Sequence, residues 1–132
     1  MLNHVIEHVP DPIELLIKLY NILKKGGVIY IRTPNNASVC SHFFKTYWRG
    51  WETPRHLNIF NFRSFEKIID HFESKMLRTS NQMFLGMFLS SFNYRFGKKN
   101  IFFKIFLGSY LFLKSLLISN SKEELVCIIK KP

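Results

Sequence analysis

The chain has 132 residues, of which 47% are hydrophobic and 16% aromatic, and its formal net charge is +10 at pH 7. This length suits one domain with a modest core, and so apolar a composition excludes a disordered chain. The 19 Lys and Arg residues are scattered rather than gathered into an arm or stripe. That pattern argues against nucleic-acid binding and favours a solvated basic surface that attracts anionic partners.

The two cysteines and the first eleven residues of the sequence bear on the cellular compartment of the protein. Cys40 and Cys127 lie far apart and form no Cys-x-x-Cys pattern, so the sequence supports neither a disulfide framework nor a structural zinc site. The first eleven residues carry several titratable side chains and lack the charged-then-apolar plan of a signal peptide. We therefore expect a cytoplasmic protein.

A helix followed by a strand is predicted near the start of the chain. Asp11 can cap a helix that begins at Pro12, and apolar residues then repeat on one face until Gly26 and Gly27 end the helix. The uncharged residues 28–31 follow at once and are typical of a buried strand. Such an α/β unit binds ligands beyond the carboxyl ends of its strands, where Asn35 is expected to lie.

Residues 38–60 show no steady period and are rich in aromatic side chains, which predicts a long loop or lid. The alternative is that these aromatics simply cap the core. Asn61 is then expected to cap a second helix, on which apolar residues recur at i, i+3, i+4 and i+7. Residues 76–80 give a weak strand prediction, residues 83–94 remain unassigned, and residues 125–129 predict a final strand.

Residues 101–118 form a largely apolar stretch that predicts a helix. Lys104 and Lys114 interrupt it, and a lysine near the centre of a bilayer costs about 2.5 to 3.5 kcal/mol, so spanning is disfavoured. On a helix, Lys104, Gly108 and Ser115 project within about 40° of one another. A narrow polar stripe of this kind fits a helix in the core or on a membrane surface, and the sequence leaves both readings open beside spanning.

Five short motifs stand in order along the first half of the chain: Asn-His-Val-Ile-Glu-His-Val-Pro-Asp-Pro at 3–12, Leu-Lys-Lys-Gly-Gly-Val at 23–28, Thr-Pro-Asn at 33–35, Trp-Arg-Gly-Trp at 48–51 and Pro-Arg-His-Leu at 54–57. The first three resemble the second half of a class I S-adenosylmethionine-dependent methyltransferase. The last two resemble methyltransferase-like proteins that modify bacterial surface polysaccharides and small molecules. Residues 125–132 resemble the closing antiparallel strand of that fold.

This resemblance implies a partial Rossmann-like α/β fold with strands five, six and seven and their helices, in a single partial domain over residues 1–132. The glycine-rich turn and the acidic residue that hold the donor have no counterpart, since the six glycines form no G-x-G pattern. We therefore expect an incomplete three-layer sheet. The donor-binding half would come from another polypeptide or from self-association, and the chain would be inactive without it.

The resemblance also implies roles for the first motif. Asn3 and His4 match positions that border the methionine end of S-adenosylmethionine in relatives, so they are expected to bind this donor. Glu7 and His8 are expected to be catalytic, by accepting a proton or shaping the substrate pocket, with capping and loop hydrogen bonds as the alternative. The spacing of His4, Glu7 and His8 resembles the Glu-x-x-Glu-His metal site of ubiquinone-type O-methyltransferases. His4 replaces its first Glu, so no metal is expected.

The acceptor is expected to lie against the later motifs. Arg55 can hold a phosphate or carboxylate, and His56 can act as a general base near neutral pH. The alternative is that both residues tie the loop to the sheet. Asn35 and Trp48 are also expected to bind the substrate.

The predicted activity is methyl transfer from S-adenosylmethionine to an oxygen or nitrogen of a small molecule, sugar or lipid-linked intermediate. The alternative is a non-catalytic small basic protein that sits on an anionic membrane through residues 101–118, at the inner face of the membrane.

Overall fold

Four strands and five α-helices are present in the computed structural model, which describes residues 1–97 and 100–132. The strands are β1 (Leu2–Asn3), β2 (Val28–Pro34), β3 (Ser74–Ser80) and β4 (Glu124–Lys130). The helices are α1 (Pro12–Ile22), α2 (Val39–Phe44), α3 (Phe62–Ile69), α4 (Phe84–Phe96) and α5 (Ile101–Leu117).

The strands form one sheet in the order β1-β2-β4-β3. β1 and β2 are parallel, whereas β4 runs antiparallel to both of its neighbours, β2 and β3. Pro34 at the end of β2 and Ser80 at the end of β3 both pair with Glu124 at the start of β4. The carboxyl ends of β1, β2 and β3 therefore meet at one edge of the sheet, which we call the carboxyl edge. The predicted α/β class is confirmed.

Side-chain caps at Asp11 and Asn61 stabilise the starts of α1 and α3. The Asp11 carboxylate accepts a hydrogen bond from the backbone N–H of Glu14 at 2.8 Å. Asn61 and Ser64 form a reciprocal capping box at the start of α3. The predicted end of α1 was wrong, because the helix stops at Ile22. The double glycine instead forms a turn in which the Gly26 N–H donates to the backbone oxygen of Lys131 at 2.9 Å.

The first core lies between one face of the sheet and the helices α1 and α3. Alternate residues of β2 and β4 point to this face, which follows from the two-residue period of a strand. The buried residues of this core include Leu16, Ile31, Phe65, Cys127 and Ile129. The helices α1 and α3 therefore form one layer over the sheet.

The second core lies beyond the carboxyl edge and involves residues 38–60. This segment was expected to be a loop, but it contains α2 and two 3₁₀ turns, Lys45–Tyr47 and Arg49–Trp51. These pieces are too short to show a helical period in the sequence. Phe44 and Trp48 are buried against α4 and α5. These two side chains therefore pack in the core, as in the alternative interpretation of this segment. A role as a lid stays a prediction.

An inserted helical pair, α4 and α5, separates β3 from β4. The sequence of α4 predicts no element, because Ser, Asn and Gly interrupt its apolar pattern. Its aromatic residues nevertheless recur every four residues, and their rings contact one another in sequence: Phe84, Phe88, Phe92 and Phe96. Among residues 1–97 and 100–132, no helix has both the length and the apolar character needed to cross a bilayer.

Two leucines test the position of the first core. Leu16 is fully buried on α1, whereas Leu57 is exposed. We expect Leu16→Ala to lower the free energy of unfolding by about 2 to 5 kcal/mol, because it removes buried methyl groups and leaves a cavity. Leu57→Ala, the same chemical change at an exposed site, should alter it by less than about 0.5 kcal/mol. Urea unfolding followed by circular dichroism measures both, and equal losses would contradict this core.

Candidate active site

A cavity of about 410 Å³ opens at the carboxyl edge. Other cavities among the described residues are slightly larger, but this one has the most titratable side chains in its wall. They come from the segment after β1 and from the segment after α2, and they are His4, His8, Arg49, Glu52, Arg55 and His56. The start of α4 closes one side through Met83, Gly86 and Met87. Convergent polar groups in a cleft are what an acid–base site requires.

A network of charged side chains, two of them fully buried carboxylates, meets this cavity at His4. The His4 imidazole lies 3.3 Å from a Glu7 carboxylate oxygen through Nδ1 and 3.2 Å from Glu124 through Nε2. The Arg32 guanidinium donates to both oxygens of Glu124 at 2.7 and 2.6 Å. Both carboxylates are almost fully buried. Burying a charge costs several kcal/mol unless a partner compensates, so each cation here is structurally required.

The network shifts the ionisation of its members. The hydrogen bonds to Glu124 and then to Glu7 raise the pKa of His4 to about 9, although burial opposes this. Burial alone would raise the pKa of Glu7 and Glu124, but hydrogen bonds and the nearby positive charges outweigh it. For Glu7 the hydrogen bonds come from His4 and Thr33, and for Glu124 they come from His4 and Arg32. His4 and Arg32 also supply the positive charges, so the pKa of both carboxyls falls below its usual range. His4 is therefore a cation at neutral pH and cannot act as a base there.

The contacts of Glu7 within the chain are those of a positioning residue. Its carboxylate is buried, accepts a hydrogen bond from the Thr33 hydroxyl at 3.0 Å and faces His4. Its backbone oxygen accepts hydrogen bonds from the N–H groups of Leu57 and Asn58 at 2.8 and 3.0 Å. These internal contacts agree with the alternative of loop hydrogen bonding, and direct catalysis by Glu7 stays a prediction.

His8 and His56 are brought together, with ring centroids 4.7 Å apart. His8 Nδ1 donates to the backbone oxygen of Arg55 at 2.8 Å, and His56 Nδ1 donates to that of Gly50 at 2.7 Å. A carbonyl oxygen only accepts, so each neutral ring carries its proton on Nδ1 and has a lone pair on Nε2. His56 Nε2 lies 3.4 Å from a Glu52 oxygen and its side chain is nearly buried. His8 is the half-buried one, which makes its Nε2 the better-placed proton acceptor.

A metal would have to compete with these contacts. Glu7, His8 and His56 each offer a ligand atom, and the three atoms lie within 4.8 Å of one another. The set implied by sequence spacing, with His4, does not form, because both nitrogens of His4 face carboxylates. A cation bound to Glu7 would have to displace the His4 imidazolium. The arrangement favours proton transfer over metal binding.

Two of the expected substrate residues are buried and make hydrogen bonds within the chain. The Asn35 amide is fully buried and donates to the backbone oxygens of Asn120 and Lys122 at 2.9 and 2.8 Å. Trp48 is buried in the second core, and its indole N–H donates to Glu123 at 3.4 Å. Neither side chain lines the carboxyl-edge cavity, and contact of either with a substrate stays a prediction.

Charged residues at the cavity mouth fit the expectation better. Arg55 is exposed at the cavity and pairs with Glu52 at 2.9 Å. Arg49 is also exposed and lines the cavity. It lies inside the Trp-Arg-Gly-Trp motif, which could have indicated it. Asn3 is exposed at the carboxyl end of β1, and its contact with the donor stays a prediction.

Because of the His4 network, we expect the fold to lose stability as the pH becomes alkaline. Because the pKa of His4 rises from 6.5 in the unfolded chain to about 9 in the folded one, its stabilisation is complete below the unfolded value. It is lost as pH rises through the folded value. We expect the melting temperature to fall more between about pH 7 and 10 for the wild type than for His4→Gln, which lacks roughly 2 kcal/mol of this term at neutral pH. Exposed His71→Gln is the control, and parallel curves for wild type and His4→Gln would contradict the network.

Comparisons with known proteins show the family and the fold of the chain. The Methyltransferase domain family matches residues 1–77. A search of proteins of curated function gave no significant match. A solved S-adenosylmethionine-dependent methyltransferase from Archaeoglobus fulgidus is 18% identical with a TM-score of 0.56, over 99% of this chain and 57% of that one.

Phosphoethanolamine N-methyltransferase 2 from Haemonchus contortus, in complex with S-adenosyl-L-methionine, is 19% identical with a TM-score of 0.51, over 98% of this chain and 32% of that one. The chain thus spans about half of the first structure's length and a third of the second's. At these identities the likeness shows the fold, and the predicted partial Rossmann-like arrangement is confirmed. By its match over residues 1–77, the chain belongs to the methyltransferase domain family.

Proposed function

We propose that this chain forms the acceptor side of a methyltransferase that moves a methyl group from S-adenosylmethionine to an oxygen or nitrogen of its substrate. The carboxyl-edge cavity carries this proposal, because it places a half-buried imidazole with a free Nε2 beside cationic groups at the ligand-binding edge of the sheet. The alternative, a non-catalytic protein on a membrane surface, does not explain why these polar side chains converge in the cavity.

In the proposed reaction the protein aligns the acceptor with the methyl donor and removes one proton from the acceptor. S-adenosylmethionine supplies an electrophilic methyl group on its sulfonium sulfur. The His8 Nε2 lone pair accepts the proton of the acceptor's O–H or N–H, while Nδ1 stays bonded to the Arg55 backbone oxygen. That backbone bond fixes the orientation of the ring. The His4 imidazolium holds Glu7, and Glu7 holds the segment that carries Arg55.

The charge around the cavity favours an acceptor with an anionic group. Arg49 and Arg55 lie at the wall and His4 is a cation, whereas Glu52 is the acidic residue that lines the cavity. Guanidinium groups bind phosphate and carboxylate with two parallel hydrogen bonds. The Haemonchus contortus enzyme, whose fold is similar, has also been solved with phosphomonomethylethanolamine and S-adenosylhomocysteine. We therefore place phosphorylated or carboxylated small molecules, sugars and lipid-linked intermediates first among the acceptors.

The donor contact is proposed at the open end of β1. Asn3 is exposed there, next to His4, at the edge where the cavity opens. None of the six glycines in these 132 residues forms a G-x-G turn. We propose that the turn that cradles the donor is supplied by residues outside this sequence, in the same polypeptide or in a partner.

Substitution of His8 tests the proposed base. The protein, in the longest form that its gene encodes, is assayed with methyl-labelled S-adenosylmethionine and a panel of phosphorylated and carboxylated alcohols and amines. We expect His8→Gln to lower kcat by about 100-fold or more, since a positioned general base contributes that much. The KM for the donor should change little. The matched control is His71→Gln, because His71 is an exposed histidine that lies beyond α3.

Two results would count against this function. A rate for His8→Gln within a few-fold of the wild type would remove His8 as the base. Absence of transfer to every anionic acceptor, together with transfer to neutral ones, would remove the assigned substrate class.

A further inference from the structure

Helix α5 turns the polar stripe of Lys104, Gly108 and Ser115 towards its neighbours, whereas many of its large apolar side chains are exposed. Lys104 Nζ donates to the Asn93 side chain of α4 at 3.0 Å, and the Ser115 hydroxyl accepts from the Asn81 side chain at 2.7 Å. At Gly108 the helix approaches Phe88 so closely that an added Cβ would lie 3.0 Å from the ring. The polar stripe identified in the sequence therefore faces α4 and the β3–α4 connection.

The opposite side of α5 forms an apolar face with no cover among the described residues. Its most exposed members lie within about 60° of one another on a helix and span about 22 Å along it. They are Phe102 (77% exposed), Phe106 (71%), Leu113 (60%) and Leu117 (86%). A helix on the surface of a water-soluble protein normally has the reverse arrangement, with polar residues outward. This outward face, which we call the α5 face, therefore suits an apolar partner.

The charge of the surrounding segment identifies the kind of partner. No Asp or Glu occurs between Glu73 and Glu123, whereas that stretch contains eight Lys and Arg residues. Lys114 is exposed on α5, with its Nζ 5.9 Å from the centre of the half-exposed Tyr110 ring. An apolar helix face with a lysine beside it, in a segment without acidic residues, suits the surface of an anionic lipid bilayer. A second copy of this chain would bring the same positive charges together, which disfavours self-association through this face.

We propose that the α5 face inserts into the headgroup region of an anionic phospholipid bilayer, with the helix lying in the plane of the surface. The exposed phenylalanines and leucines enter the boundary with the acyl chains, and Lys114 contacts lipid phosphates. The partner helix α4 lines the candidate active site through Gly86 and Met87. Binding in this way holds the cavity close to the membrane surface. Lipid binding needs neither methyl donor nor acceptor, so its test is independent of the proposed methyl transfer.

Vesicle sedimentation tests the apolar part of this proposal. The full chain is mixed with phosphatidylcholine vesicles that contain or lack phosphatidylglycerol, and its partition coefficient is measured. We expect binding to the anionic vesicles, and a loss of about tenfold or more for Phe106→Ser combined with Leu117→Ser, because two large side chains no longer enter the lipid. The matched control removes two exposed apolar residues elsewhere, Ile22→Ser with Leu57→Ser, and should bind like the wild type.

The charge part is tested by salt and by one reversal. We expect high salt to weaken binding and Lys114→Glu to lower the partition coefficient several-fold, with Lys25→Glu on the exposed α1–β2 turn as the control for net charge. Unchanged melting curves show that each variant is folded. Absence of vesicle binding, equal binding to neutral vesicles, or unchanged partitioning of the Phe106 and Leu117 variant would overturn the proposal. So would a lipid-free dimer that this variant dissociates, since the α5 face would then be a self-association surface.

Discussion

The buried carboxylate of Glu124, at the start of β4, is the constraint on which the arrangement of the carboxyl edge depends. It lies where β1, β2 and β3 all end, and burial of its charge is tolerated because Arg32 of β2 and His4 after β1 neutralise it. An unpaired charge at this depth would cost several kcal/mol. The same imidazolium holds Glu7. These charges therefore hold β1, β2 and β4 together at the carboxyl edge and meet the cavity at His4.

The proposed chemistry follows from this network through a short series of contacts. Glu7 anchors residues 57 and 58 through its backbone oxygen, which returns the segment after α2 to the sheet. That segment supplies the Arg55 backbone oxygen that orients His8. Within the inserted pair, α4 closes one side of the cavity, and α5 presents an apolar helix face with Lys114 beside it. We thus propose that these 132 residues combine a proton-accepting site with a surface that binds lipid.

Sequence reasoning succeeded where the physical cause is local and failed where it is distant. The caps at Asp11 and Asn61 and the apolar residues 28–31 were readable, because their partners lie within a few residues. The buried roles of Asn35 and Trp48 were not, since their partners lie at positions 120–123. The charge of His4 depends on Glu124, 120 residues away. The inward orientation of the polar stripe on α5 likewise needed α4, which the sequence left unassigned.

Hydrogen exchange with and without S-adenosylhomocysteine, on the longest form that the gene encodes, tests most directly whether the carboxyl edge is the methyl-transfer site. We predict that saturating ligand slows amide exchange in residues 1–9 and 49–58, where the cavity lies, and leaves exchange in α5 unchanged. Slowing confined to α5 or to the far ends of the strands would contradict this account, as would unchanged exchange throughout at a ligand concentration shown to saturate binding.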